Sequence, residues 1–127
     1  MPPKLTQEDM MDHPILETVE QLRAARQAEQ MAIESAADAR ALLERAKAIL
    51  LAEAYQGGQI DGKNEQARKV QEAELLAGAE AVRRAEAELR LAESKHASDR
   101  IERQYREDRY HALLCLLNRQ ASLSGND

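Results

Sequence analysis

The chain predicts an all-α fold, a long antiparallel helical hairpin of coiled-coil type, and three observations predict it. Ala, Glu, Leu, Arg and Gln dominate the 127 residues, with five Gly, three Pro, no Phe and no Trp, so strong helix formers prevail and helix breakers are few. Two stretches carry small and apolar residues at alternating steps of three and four. Between them lies the glycine-rich "GGQIDGKN", residues 57 to 64, where the chain can reverse.

The amino-terminal segment, residues 1–14, has Thr6 and Asp9 at the spacing of a capping box, with Asp in place of the usual Glu or Gln, and is expected to hold at most a short helix. Pro14 suits a first helical turn, with Asp12 or His13 as cap, and nothing from Ile15 to Gln56 would break the helix that follows. The turn is expected over 57–63, with Gly57 and Gly58 supplying the positive φ of a helix end and Asp61 or Asn64 capping the next helix. That second helix is read as continuous over 64–118. Residues 120–127 form a flexible tail, and 15–119 a single helical-hairpin domain.

In the first helix Ala32, Ala36, Ala39, Leu43, Ala46 and Leu50 form one seam; in the second, Leu75, Gly78, Val82, Ala85, Leu89 and Ala92 form another. A reversal around Ile60 sets Ala36 level with Ala85, Leu43 with Gly78 and Ala46 with Leu75, so that small residues oppose large ones in most layers, as close packing requires. The same register carries Leu113 and Leu116 towards Leu5 and Met10. Leu42, Ile49 and Leu51 lie outside the first seam, and Leu113, Leu116 and Leu117 crowd the end of the second. One partner helix does not cover all six. They mark an expected oligomer interface, giving a four-helix bundle dimer or a higher homo-oligomer.

Four features invite a chemical reading. "GGQIDGKN" fits the first seven positions of a phosphate-cradling loop and ends on Asn64 where a hydroxyl should hold magnesium. A helix precedes it instead of a strand, and Asp61 places negative charge inside it; a turn is the stronger reading. Glu93 and His96 have the Glu-x-x-His spacing of di-metal bundles, with Glu29 on the opposite seam. A seam interrupted by Glu29, His96 and Asp99 reads more readily as a polar layer that sets register. In "RIERQYREDRY", Arg100, Arg103, Arg106 and Arg109 follow three-residue steps with Tyr105 and Tyr110 among them, a spiral able to touch phosphates, although Glu102, Glu107 and Asp108 dilute it. Tyr105, four residues after Ile101, is placed at the core edge. Cys115 stands alone among apolar neighbours and is expected to be a buried thiol.

No apolar run approaches the ~18 residues of a membrane span, and the amino terminus lacks the pattern of a signal peptide. A cytoplasmic protein with no membrane contact is expected. A net charge of −5, with 18 basic against 23 acidic residues, disfavours broad polyphosphate binding, and no nucleophile, base and orienting group assemble from the remaining residues. No enzymatic activity and no cofactor or metal are expected.

The Ala-rich first helix, the turn "DGKNEQARK" and the stretch "AEAVRRAEAELRLAE" resemble a loose group of short helical-hairpin proteins encoded by bacteriophages and prophages. The resemblance covers about residues 32 to 118, and its specific element is Gly62, Lys63, Asn64 and Arg68. It implies a phage setting, hence a host-cell cytoplasm, and no site residues. The expectation is a non-enzymatic oligomer that binds a protein partner, such as a host defence or replication enzyme, through Arg100, Arg103, Arg106, Arg109 and Tyr110. A nucleic-acid-binding accessory using the same arginines is the alternative, and a Glu/His metal-binding bundle the third reading.

Overall fold

The structure, a computed structural model, describes residues 14–124. The expected short helix before Pro14, the caps Asp12 and His13, the approach of Leu5 and Met10 to the last leucines, and the final residues of the tail all lie outside that range. Three helices follow in order: α1 over Pro14–Gln56, α2 over Glu65–Gly78 and α3 over Glu80–Ser124. Among the described residues there is no strand, and α1 and α3 pack against each other as the arms of an all-α hairpin. Contacts divide the chain into two compact units, one of Ala32–His96 and one of residues up to Met31 with those from Ala97 onward.

In the unit of Ala32–His96 the expected seam of α1 is present: Ala32, Ala36 and Leu43 are buried, with Ala39, Ala46 and Leu50 partly so. The end of α1 shows how two glycines stop a helix. Gly58 takes φ 73°, and its N–H reaches the carbonyl of Tyr55 at 3.3 Å while that of Gln59 reaches Ala54 at 2.9 Å. These are the two backward hydrogen bonds of a Schellman ending, which satisfy carbonyls that the helix leaves open. Asn64 starts α2, its side chain accepting from the N–H of Ala67 at 2.8 Å.

Two expectations fail in this unit. The second helix is not continuous: Ala79 has extended geometry, φ −81° and ψ 122°, and separates α2 from α3. Glycine weakens a helix interior by about 1 kcal/mol, and Gly78 permits the break, which is sealed when Arg83 Nε donates to the carbonyl of Ala77 at 2.9 Å. The seam passes through Ala79 and Val82, the latter buried, whereas Gly78 is exposed and has nothing within 4 Å of where a Cβ would stand. Leu43 therefore does not nest over Gly78. The register is shifted as well, since Tyr55 bonds Glu72 and Arg40 bonds Glu93, where the expected levels were Gln66 and Ala81. The loop explains part of this shift. Asp61 and Gly62 bind Gln71, so the first two turns of α2 run beside the loop before the arms meet.

In the other unit Thr18, Leu22 and Ala25 are the buried residues of α1. The Thr18 hydroxyl donates to the carbonyl of Pro14 at 2.7 Å, which satisfies a polar group that would otherwise be costly to bury. Along α3 the half-buried positions Asp99, Arg103, Arg106, Tyr110, Leu113 and Leu117 keep the alternating steps of four and three. The heptad therefore continues through residues of polar type. The helix also runs past the expected end at 118, to Ser124.

Candidate functional site

The loop of the possible phosphate cradle is already occupied by the protein's own groups. The backbone N–H groups of Asp61 and Gly62 both donate to Gln71 Oε1, at 3.1 and 2.8 Å, and Gln71 Nε2 returns a hydrogen bond to Asp61 Oδ1 at 2.8 Å. Arg68 Nη1 donates to the carbonyl of Gly62 at 3.4 Å. A phosphate loop needs convergent amides that are free to receive an anion, and here two of them face an amide oxygen. Gly62 has its own reason to be glycine: an added Cβ would sit 2.8 Å from the backbone nitrogen of Arg68. Ile60 closes the underside of the turn as a buried side chain. The motif reads as a packed turn.

The arginine spiral is split by the fold. Arg103 and Arg106 point into the hairpin seam, where Arg103 Nε donates to Glu29 Oε2, Arg103 Nη1 to Glu107 Oε2 at 2.8 Å, and Arg106 Nη1 to Gln21 Oε1 at 2.9 Å. Arg26 joins from α1, its Nη2 3.0 Å from Glu107 Oε1. This is a cross-helix network, with side-chain exposures of 25% for Arg103 and 16% for Glu29. Hydrogen bonds to Glu29 and then Glu107 raise the Arg103 guanidinium above its ordinary value. Those from Arg26 and Arg103 hold the Glu107 carboxyl below the ordinary carboxylate value. Arg100 and Arg109 stay exposed, and Tyr110 is half-buried beside Val19, Leu22, Arg23 and Arg26. The five residues thus form no common surface: two brace the seam, one lines it and two face solvent.

The metal candidates are also dispersed among other duties. Glu93 Oε1 accepts from Arg40 at 3.2 Å, Glu29 accepts from Arg103, and among the described residues no three His, Cys, Asp or Glu side chains gather in a way that could hold a metal ion. Half-buried Glu29, His96 and Asp99 do occupy seam positions, in keeping with a polar layer.

Of the six residues expected at an oligomer interface, Leu113 and Leu117 turn towards the seam and Leu51 is half-buried, while Leu42, Ile49 and Leu116 are largely exposed. Two further expectations are corrected. Cys115 is exposed, because the heptad turns Leu113 and Leu117 inward and leaves position 115 outward. Tyr105 is also exposed, together with Ile101 at 70%, because the seam runs through Arg103 and Arg106 on the other side of α3. Reading only apolar residues as inward-facing misses this; continuing the strict heptad count beyond Ala92 would have found it. Among the described residues no helix is long and apolar enough to cross a membrane. In comparison with known proteins, the chain matches no family model, no curated protein and no solved structure.

Proposed function

We propose that this chain acts by association rather than by chemistry, as a non-enzymatic helical protein that assembles with itself and offers its remaining apolar face to a protein partner. The observation that carries this reading is the exposed apolar surface of the described helices. Large apolar side chains contribute to that surface in both units, Leu42, Ile49 and Leu91 in one and Ile101, Tyr105 and Leu116 in the other. Covering such groups is favourable at about 25 cal/mol per Å².

Light scattering after size exclusion tests the self-association. A mass at least twice 14.2 kDa is expected, and a monomer at every concentration would overturn the reading. For the partner, capture from a lysate is expected with the wild type and lost with Leu42→Glu combined with Ile49→Glu, two exposed positions one heptad apart on α1. Equal capture by both would remove that face from the proposal. The nucleic-acid alternative draws less support, because Arg103 and Arg106 are engaged with Glu29, Glu107, Glu102 and Gln21.

A further inference from the structure

The outward side of α3 between Ser98 and Cys115 carries a second heptad track, distinct from the seam: Ser98, Ile101, Tyr105, Asp108, Ala112 and Cys115 follow steps of 3, 4, 3, 4 and 3, and all six are exposed. All lie in one compact unit. We infer that this track is the contact between two copies of the chain, with the two α3 helices antiparallel about a twofold axis near residues 106 and 107. The inference rests on the self-association proposed above and assigns it a face and a direction.

Self-complementarity carries the argument. An antiparallel coiled coil sets each a position against a d position of the other helix, and a twofold contact needs every such pairing to work in both directions. On this track only one centring places Ile101 opposite Ala112, large against small, and it simultaneously sets Tyr105 opposite Asp108 and Ser98 opposite Cys115. Flanking the track, Glu102 of each copy lies on the same side as Arg109 of the other, two residues or about 3 Å off level, so opposite charges approach each other twice. A parallel pairing would instead place Asp108 against Asp108.

Tyr105 is already arranged for its part. Its ring lies against Arg106, with the guanidinium carbon 5.3 Å from the ring centroid, and its hydroxyl accepts a hydrogen bond from Arg109 Nη1 at 3.4 Å. The phenolic proton is left to donate outward. A carboxylate of the second copy at position 108 is a fitting acceptor.

Cys115 supplies the test. In the antiparallel arrangement it faces Ser98 of the other copy and stands about 25 Å along the helix from the other Cys115, well beyond disulfide reach. Under mild oxidation the full-length Ser98→Cys chain is therefore expected to run as a covalent dimer on a non-reducing gel. The wild type and Ser98→Cys with Cys115→Ser are both expected to stay uncrosslinked. Wild-type crosslinking through Cys115 would overturn the antiparallel arrangement. A dimer by light scattering that gives no crosslink with Ser98→Cys would sink this face while leaving self-association standing; a monomer by light scattering would remove both. Ile101→Glu gives a measure independent of sulfur chemistry, with its mass expected to fall to that of one chain while helicity is kept. Retention of the wild-type mass would count against the face.

Discussion

The two compact units are built on the same heptad and held by different chemistry. In Ala32–His96 the seam is Ala, Leu and Val, with Ala32, Ala36, Leu43, Ala54, Ile60 and Val82 buried. In the other unit the buried set is Thr18, Leu22 and Ala25, and the seam of α3 runs through Asp99, Arg103 and Arg106, with Arg103 bound across to Glu29, Arg106 to Gln21 and Glu107 to Arg26. Apolar burial is insensitive to pH and strengthens with excluded salts. Half-exposed ion pairs are screened by salt and depend on protonation. The same helical geometry thus yields one unit stabilised by area and another stabilised by partnered charge. The second has the smaller reserve, because surface-accessible pairs contribute little each.

The largest expected effect tests that contrast directly. Leu43→Ala removes a large buried side chain from the apolar unit and should cost about 2–3 kcal/mol, the lower part of the range for such truncations, because a two-helix contact can partly collapse into the space. Urea unfolding gives the total, and hydrogen exchange should locate the loss within residues 32–96. Arg103→Met should lower the melting temperature less than Leu43→Ala does, with faster exchange concentrated in 14–31 and 97–124. A loss from Arg103→Met equal to that from Leu43→Ala would erase the distinction between the units.

A smaller effect comes from pH. Glu107 is held below its ordinary value of 4.5 by Arg26 and then Arg103, so its contribution is fully present above the unfolded-state value and is lost as pH falls through the lower folded-state value. Between neutral pH and the ordinary carboxylate range nothing should change at this group. Below it, amides of 14–31 and 97–124 should open before those of 32–96, and Glu107→Gln should abolish that part of the acid dependence. Uniform opening of both units in acid would argue against a localised ionic network.

Much of this architecture was legible in the sequence, and the misses share a cause. The first seam, the glycine turn, Asn64 as cap and Pro14 in the first turn follow from local rules of spacing and backbone geometry, which depend on few residues. Beyond Ala92 apolar periodicity does not trace the seam of α3, because Arg103 and Arg106 enter it where Glu29, Glu107 and Gln21 meet them within hydrogen-bond range. The strict heptad count marks these positions, but the partners Glu29 and Gln21 that let arginines occupy them come from the other arm of the hairpin. The break at Ala79 needed Arg83 to reach back to Ala77, and the register depended on Gln71 folding the loop against α2. Of the proposed binding residues, only Arg100 and Arg109 keep the solvent-facing position that the arginine spiral implied.

The smallest effect concerns the apolar unit's own polar contact and sharpens the claim that its stability rests elsewhere. The Tyr55 hydroxyl donates to Glu72 Oε1 across the start of the hairpin, and this hydrogen bond, with burial and the Glu72 charge adding to it, raises the phenol above its ordinary value of 10.0. A group whose folded value is raised contributes stability that is present below the unfolded value and lost as pH rises through the folded one. The contribution should therefore vanish only in strong base. Replacing Tyr105 and Tyr110 with Phe isolates Tyr55 for ultraviolet titration, and Glu72→Gln should bring its midpoint down towards 10.0 while leaving urea unfolding at neutral pH almost unchanged. A midpoint that ignores Glu72→Gln would break the assigned contact. A large loss of neutral-pH stability would show instead that this unit, too, depends on polar pairing more than on its buried alanines and leucines.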